Sequence, residues 1–246
     1  MKELTSINND LVKFVSSLHQ KKYRDESKLF IVEGEKALEH ALKSEFKIKY
    51  VFIKDSLNLK INDDLLYKVN DKVMKKIATT ESAPSVLSVV EKKEYKLNKS
   101  ISKVLLLENI KDNGNLGTII RSAAAFNIDL IILLGECCDL YSPKTIRSSV
   151  GTFFQIPCIE YKSIDEVMKY FNGFKFISTN LHKKSDVKIE NINGKFVLMF
   201  GSEADGLSEK TTKSADNNFI LPINSKVESL NLATAVSIVL YEISKN

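Results

Sequence analysis

The feature that most constrains the fold is a series of short apolar runs in the second part of the chain, each followed by a helical pattern. The runs lie at residues 104–107, 128–134, 174–178 and 196–200. A run that is apolar throughout, such as 104–107, is typical of a strand buried on both faces of a parallel sheet. Helical spacing appears between the runs, at residues 119–126, 142–151 and 163–171. The alternation predicts an α/β fold with a parallel sheet covered by helices.

The first part of the chain predicts a second, smaller α/β unit. Strand-like runs lie at residues 29–32, 48–53 and 86–90, and helical patterns lie at 5–24, 35–43 and 70–78. Residues 91–100 are charged and lack periodicity, which is typical of a linker. We therefore divide the chain into predicted domains at 1–95 and 101–246.

Composition excludes several classes of protein. No apolar run approaches the roughly 18–20 residues of a membrane span, and the N-terminus has no apolar core of the signal-peptide kind. We therefore expect a cytoplasmic protein without a membrane partner. Cys137, Cys138 and Cys158 are odd in number and form no C-x-x-C pair, so a disulfide framework is not expected. The histidines lack the spacing of metal ligands, so we predict no metal site.

The positive charge is confined to the first part of the chain. Residues 1–100 hold 20 Lys and Arg against 15 Asp and Glu, whereas residues 101–246 hold 16 of each, so the net charge of +5 comes wholly from the first part. This asymmetry favours a polyanionic partner such as RNA, bound by the N-terminal domain. The basic stretch with Lys21, Lys22 and Arg24 supplies candidate contacts.

The tail combines a predicted strand, a polar loop and a predicted helix. The apolar residues 219–221 end at Pro222, and residues 232–243 have helical spacing, with Ser229 as the predicted N-cap. A helix that begins after a polar loop directs backbone N–H groups at a ligand. The alternative is an ordinary last strand followed by a packing helix.

Polar residues lie in three loops that follow predicted strands, where ligand sites form in parallel sheets. The loops are residues 112–117 with Arg121 beyond them, residues 201–207, and the tail loop with Ser229 and Asn231. Neither G-x-G-x-x-G nor the P-loop pattern occurs, which disfavours dehydrogenase and ATP chemistry. Turn formation alone is the alternative for the first loop.

Taken together, the three loops resemble the motifs of the SpoU (TrmH-type) RNA ribose methyltransferases of the SPOUT superfamily. Residues 112–123 are similar to the first motif, although Asn113 stands where the family has proline. Residues 201–207 are similar to the second motif, and 221–223 with 229–232 to the third. The family's S-P-K-x-x-R-x-S-x-G segment matches residues 142–151. Residues 30–34 resemble the start of the family's substrate-binding domain, a small α/β unit like certain ribosomal proteins.

The resemblance implies a C-terminal trefoil knot that holds S-adenosylmethionine. The implied cofactor-binding residues are Gly201, Leu221, Pro222, Ile223 and Leu230. Pro222 and Leu230 would form an apolar slot for the adenine ring.

The resemblance also implies methyl transfer from a sulfonium to a ribose 2′-hydroxyl, which requires positioning and proton removal. Arg121 is the implied catalytic arginine, and we expect it to bind RNA phosphate and to stabilise alkoxide charge, because an arginine pKa above about 12 disfavours a general base. Asn115 and Asn231 would orient Arg121 or the ribose. Glu203 would hold its loop or anchor Arg121.

Two further residues carry alternatives. Ser229 is a candidate catalytic residue or only an N-cap. Arg147 is a candidate RNA contact or only a partner in a surface salt bridge.

The sequence thus predicts an S-adenosylmethionine-dependent RNA 2′-O-methyltransferase that acts as a homodimer. Ribosomal RNA, most specifically 23S ribosomal RNA, is the expected substrate because a basic domain precedes the catalytic one. Transfer RNA is the alternative substrate. A non-catalytic RNA-binding protein is the alternative class, and the retained Arg121, Asn115 and Asn231 argue against it.

Overall fold

The structure is a computed structural model that describes residues 1–55, 60–97, 100–179 and 185–245. Part of the predicted linker, residues 98–99, therefore lies outside the described residues. The chain divides into two compact units. The N-terminal unit comprises Met1–Glu94 with Tyr141–Gln155, and the C-terminal unit comprises Tyr95–Leu140 with Ile156–Asn246. Among the described residues, no helix is both long and apolar enough to cross a membrane.

Eleven strands and nine α-helices are assigned within the described residues. The strands are β1 (Lys2–Leu4), β2 (Leu29–Glu33), β3 (Ile48–Ile53), β4 (Leu66–Val69), β5 (Val86–Glu91), β6 (Lys103–Glu108), β7 (Leu130–Leu134), β8 (Cys158–Tyr161), β9 (Lys175–Ser178), β10 (Phe196–Phe200) and β11 (Asn217–Asn218). The helices are α1 (Asp10–Ser17), α2 (Lys21–Ser27), α3 (Glu35–Leu42), α4 (Asp71–Ile77), α5 (Asn113–Ala125), α6 (Pro143–Ser148), α7 (Ile164–Tyr170), α8 (Glu209–Lys213) and α9 (Leu232–Ile243). Short 3-10 helices lie at Asp63–Leu65, Thr152–Phe154 and Ile189–Asn191.

The N-terminal unit is a five-stranded mixed sheet of order β1-β4-β3-β5-β2. Its first three strands pair in parallel, and β5 is antiparallel to both β3 and β2. Buried residues of α1 and α4 form one core with one face of the sheet. Leu38 of α3 forms a separate core with Val51, Ile53 and Val86. Alternate strand residues point to opposite faces, so α3 and α4 cover different faces of this sheet.

Residues 141–155 fold with the N-terminal unit although the sequence places them in the methyltransferase domain. Phe30 of β2 lies 5.0 Å from Tyr141 and 5.7 Å from Phe153, measured between ring centroids. Phe46 and Phe154 meet edge to face at 5.1 Å. Such aromatic pairs contribute about 0.5–1.5 kcal/mol each beyond their burial. The segment is therefore part of the core of this unit.

An ion pair adds to this attachment. The Arg147 guanidinium donates to the Glu33 carboxylate at 2.8 Å and also to the Thr79 hydroxyl. The Glu33 side chain is only 5% exposed, and it also accepts from the Thr79 N–H and hydroxyl. Of the two roles considered for Arg147, the salt bridge is observed, with a buried partner.

Replacing Arg147 with alanine should destabilise the N-terminal unit by about 1–3 kcal/mol, because the substitution takes a donor from a buried carboxylate. The cost should fall toward the lower end, since Thr79 still donates to Glu33. Denaturant unfolding of Arg147→Ala, beside the exposed control Lys36→Ala, would measure the difference. Equal stability of the two variants would contradict a structural role for Arg147.

The C-terminal unit is a six-stranded sheet of order β11-β9-β10-β6-β7-β8, and every adjacent pair is parallel. Buried residues of α7 pack with alternate residues of β6, β7 and β10. Helices α5 and α9 pack together and share a hydrogen bond of 2.7 Å between the Ser122 and Ser237 hydroxyls. The predicted α/β fold with a parallel sheet is confirmed. The trefoil knot stays a prediction.

Several predicted boundaries are wrong. The last strand is Asn217–Asn218 rather than 219–221, and residues 113–117 begin α5 instead of forming a turn. The predicted helix over residues 5–24 is interrupted between α1 and α2, where the Arg24 guanidinium donates to the Leu18 and His19 carbonyls. Strands β1 and β4 and helix α8 were not predicted, because each is short and depends on tertiary pairing or capping.

Candidate active site

The first motif loop lies between β6 and α5. The Asp112 carboxylate caps α5 by accepting from the Asn115 N–H at 2.8 Å. The Asn113 side chain donates to the Asp139 carbonyl at 3.2 Å in the loop after β7. Proline has no side-chain donor, so the departure at Asn113 from the family pattern replaces a rigid φ with a tether to the neighbouring loop.

The second motif loop, residues 201–207, follows β10 and closes tightly on itself. The Gly206 N–H donates to the Ser202 carbonyl at 3.0 Å, and the Asp205 N–H donates to the Ser202 hydroxyl at 3.1 Å. A Cβ on Gly201 would lie 1.9 Å from the Gly206 carbonyl carbon and 2.2 Å from the Leu207 nitrogen. Only glycine fits at position 201 without moving the backbone.

The third motif begins α9. Asn231 is the N-cap of this helix, and its side-chain oxygen accepts from the Thr234 N–H at 3.2 Å. The expectation that Ser229 is the N-cap is therefore wrong, because helical geometry begins only at Leu232. Ser229 is exposed and forms no hydrogen bond within the described part of the chain. Its catalytic role stays a prediction.

A chain of side-chain hydrogen bonds joins the three motifs. The Asn231 amide donates to the Asn115 side-chain oxygen at 3.1 Å. The Asn115 amide in turn donates to the Glu203 carboxylate. Asn115 thus uses both ends of its amide, and loops far apart in sequence meet at one point. Glu203 was predicted to hold its own loop or to anchor Arg121, and its contact with Asn115 was not predicted.

Arg121 lies exposed on α5, two turns after the cap of that helix. Within the described ranges its guanidinium forms no hydrogen bond and no ion pair. A planar guanidinium with five donors and no protein partner is suited to bind an anion such as phosphate. The geometry therefore leaves Arg121 available to a ligand.

The predicted cofactor loop lies between β11 and α9. Leu221, Ile223 and Leu230 are half-buried, and Pro222 is exposed. Across the described residues, the backbone groups of Leu221 and Leu230 form no hydrogen bond with other protein groups. Unpaired main-chain donors and acceptors beside apolar side chains match a purine ring, which has polar edges and apolar faces. The donor set therefore fits an adenosine cofactor.

A family model described as the SpoU rRNA methylase family matches residues 102–241, which contain all three motifs. This chain belongs to the SpoU rRNA methylase family. A second model, the MRM3-like substrate binding domain, matches residues 9–88 of this SpoU-family chain. The resemblance inferred from the motifs is confirmed.

Two kinds of relatives support this membership. The chain is 32% identical to a 23S rRNA (guanosine(2553)-2′-O)-methyltransferase of Bacillus subtilis, over 99% of each chain. An AdoMet-bound rRNA methyltransferase structure from Sinorhizobium meliloti has a TM-score of 0.87 and 30% identity, covering 99% of this chain and 97% of its own. The fold is shared with the AdoMet complex of the SpoU methyltransferase AviRb from Streptomyces viridochromogenes. The two chains are 23% identical with a TM-score of 0.84, and the match covers 97% of this chain and 98% of AviRb.

Within this SpoU-family chain, the predicted RNA contacts of α2 are mostly engaged by other protein groups. Lys21 pairs with Asp25 at 2.6 Å, and Lys22 lies 3.9 Å from Glu26. Arg24 is 3% exposed and donates to backbone carbonyls. Because its charge serves the fold of the N-terminal unit, we withdraw Arg24 from the predicted RNA surface.

Glu108 is a site residue that the sequence analysis missed. It ends β6 and is 6% exposed, and its carboxylate accepts from the N–H and the hydroxyl of Ser208 and from the Thr211 hydroxyl. These bonds hold the start of α8, directly after the second motif loop. A single acidic residue directly after the apolar run 104–107 was the available signal in the sequence.

The three thiols are shielded from solvent to a degree that raises their pKa values. Burial raises the pKa of the Cys138 thiol to about 12, and likewise that of Cys158 to about 12. Burial also raises the pKa of Cys137. Protonated thiols are poor nucleophiles at neutral pH. No group of three or more potential metal ligands occurs in the described part of the chain.

Proposed function

We propose that this protein methylates a ribose 2′-hydroxyl of 23S ribosomal RNA with S-adenosylmethionine as methyl donor. The observation that carries the proposal is the hydrogen-bonded chain from Asn231 through Asn115 to Glu203, in the same unit as Arg121, whose guanidinium has no partner among the described residues. A protein that only binds RNA has no need of this fixed polar chain. The RNA species is proposed from the Bacillus subtilis relative, which is named for 23S ribosomal RNA.

S-Adenosylmethionine would be held by Gly201, Leu221, Pro222, Ile223 and Leu230. Leu221 and Leu230 offer main-chain groups that have no hydrogen-bond partner in the described part of the chain, and Pro222 adds apolar surface. Gly201 keeps the second motif loop closed beside this region. When bound, the cofactor supplies an electrophilic methyl group on a sulfonium, so the protein itself needs no covalent intermediate.

The protein side chains would position and stabilise the reacting RNA. Arg121 would bind a phosphate of the target nucleotide and stabilise negative charge on the 2′-oxygen. Asn115 and Asn231, fixed by their mutual hydrogen bond, would orient the ribose or Arg121. Glu203 would keep the Asn115 amide in one orientation. Since fixed groups need not reorganise during the reaction, this arrangement lowers the barrier.

Methylation mapping tests the proposed substrate. Ribosomal and transfer RNA from cells with and without the protein would be mapped by mass spectrometry for 2′-O-methyl groups. We expect one 2′-O-methyl group in 23S ribosomal RNA that depends on the protein. The Arg121→Ala variant, expressed at the same level, should not restore it. A protein-dependent 2′-O-methyl group found only in transfer RNA would assign the alternative substrate. If every ribose methyl group is still present in cells that lack the protein, the proposed activity is rejected.

The assembly and location complete the proposal. We propose residues 1–95 as the RNA-binding domain and 101–246, of which residues 141–155 fold with the N-terminal unit, as the knotted catalytic domain. We propose a homodimer in which Ile238 and Tyr241 of α9, 38% and 51% exposed, become covered. Large apolar side chains exposed on one helix are typical of an interface. The RNA substrate is our reason for proposing a cytoplasmic location.

A further inference from the structure

The lysines of α4 form the most uncompensated cationic surface among helices α1–α4. Lys72, Lys75 and Lys76 are all exposed, and among the described residues none forms an ion pair. The fourth charged residue of this helix, Asp71, pairs with Lys54 at 3.2 Å. We define the α4 lysine surface as Lys72, Lys75 and Lys76.

Position on the helix brings these three charges together. Residues at spacings of three and four lie on one face of a helix, with Cβ atoms about 5–6 Å apart. Val73, Met74 and Ile77 of the same helix are fully buried against the sheet. The core thus fixes α4 so that its three lysines point away from the unit.

The other helices on this unit carry compensated charge. Lys13 of α1 lies 3.9 Å from Asp10, and on α2 Lys21 and Lys22 each have a carboxylate partner. On α3, Lys36 is exposed and lies on a helix that also carries Glu35 and Glu39. Among helices α1–α4, the uncompensated positive charge is therefore concentrated on α4.

The helix dipole accounts for only two of the three lysines. Lys75 and Lys76 lie in the last turn, where the dipole favours a cation, whereas Lys72 lies in the first turn, where it disfavours one. Lys72 also stands three and four residues from Lys75 and Lys76, and like charges at these spacings destabilise a helix by about 0.2–0.5 kcal/mol per pair. Like charges that repel one another on an exposed helix face are suited to bind a polyanion, which removes the repulsion.

We infer that the α4 lysine surface binds the phosphate backbone of the substrate RNA. The inference rests on the proposed function, and it replaces the basic stretch of α2 as the principal electrostatic contact. It agrees with the position of α4 inside residues 9–88, which match a substrate-binding domain. Lysine side chains contact phosphates without reading bases, so this surface supplies affinity rather than sequence choice.

A triple neutralisation of the full chain tests the inference. Lys72→Gln, Lys75→Gln and Lys76→Gln together remove three charges while keeping good helix formers. The matched control changes Lys36, Lys43 and Lys47 to Gln, which lie on α3 and in the segment between α3 and β3. Binding to a 23S ribosomal RNA transcript would be measured from about 50 to 200 mM salt, the range in which phosphate contacts weaken strongly.

We expect the α4 variant to bind at least about tenfold more weakly at low salt. The slope of log affinity against log salt should also become shallower by about 2, because each phosphate that is no longer neutralised lowers the slope by about 0.7–0.9. In the control variant, the loss of affinity and the change in salt slope should each be less than half of those in the α4 variant. Calorimetric affinity for S-adenosylmethionine should stay at the wild-type value in both variants, because neither triple touches the cofactor loop. The unfolding temperature of the α4 variant should not fall, because the substitutions remove like-charge repulsion from an exposed helix face.

The outcomes separate this inference from the proposed function. An unchanged salt slope in the α4 variant, or an equal loss in both variants, would overturn the α4 lysine surface even if the wild-type protein methylates RNA. A wild-type protein that binds RNA without methylating it would reject the proposed activity and leave the binding comparison intact. A surface that binds an acidic protein instead would appear as RNA affinity equal to wild type, and that result also overturns the inference.

Discussion

The Arg121→Ala variant is expected to lose methyl transfer by about 10²–10³-fold or more, while it keeps wild-type affinity for S-adenosylmethionine. Removal of one preorganised donor aimed at developing charge costs that much in other enzymes. Cofactor affinity should not change, because Arg121 lies on α5 and the proposed cofactor loop is residues 221–231. Single-turnover methylation and calorimetry on the same preparation would measure the two quantities.

Two controls make this expectation specific. Arg121→Lys keeps the charge but loses the planar fork, and it should also be a poor enzyme. Lys111→Ala removes an exposed cation from the loop before α5, and it should keep nearly full activity. If Arg121→Ala retains more than about a tenth of wild-type turnover, Arg121 is not the group that stabilises the transition state.

The Gly201→Ala variant should lose cofactor binding by about 100-fold or more. The added methyl group would lie 2.0 Å from the Gly206 carbonyl oxygen, so the second motif loop must open. Overpacking of this kind costs about 1–3 kcal/mol and sometimes more, which corresponds to a loss of up to about 100-fold or beyond. Calorimetric titration with S-adenosylmethionine would measure the loss, and denaturant unfolding would report whether the unit still folds.

A glycine in the same loop provides the control. Gly206 has a φ of +66°, but a Cβ there meets no atom within 4 Å. Gly206→Ala should cost only the left-handed penalty of about 1–2 kcal/mol, and it should weaken binding less than Gly201→Ala. Binding that is weakened equally by both substitutions would refute the argument from close approach, and wild-type affinity in Gly201→Ala would remove the cofactor from this loop.

The sequence by itself determined the parallel sheet and the family. Runs such as residues 104–107 and 196–200 are apolar throughout, and only a strand covered on both faces buries every one of their side chains. Both runs proved to be neighbouring strands, β6 and β10, in register from Phe196–Lys103 to Phe200–Leu107. The first two motifs follow these strands, as expected when the ends of parallel strands form a site at one edge of the sheet.

Tertiary structure alone decided which polar groups meet. Asn115 lies 88 residues from Glu203 and 116 residues from Asn231 along the chain, yet it forms a hydrogen bond with each. An amide can pair only with the groups that folding places beside it. The N-cap of α9 fell to Asn231 rather than Ser229 because the first helical turn begins at Leu232.

Tertiary structure also decided where the chain divides into units and which charged side chains are buried. Residues 141–155 joined the N-terminal unit through Tyr141, Phe153 and Phe154, whose partners Phe30 and Phe46 are about a hundred residues away. A fragment that starts near residue 101 would therefore expose these aromatic rings. Arg24 is buried because its guanidinium donates to the Leu18 and His19 carbonyls between α1 and α2. Composition counts such a charge, but only three-dimensional contacts determine whether it faces solvent or serves the fold.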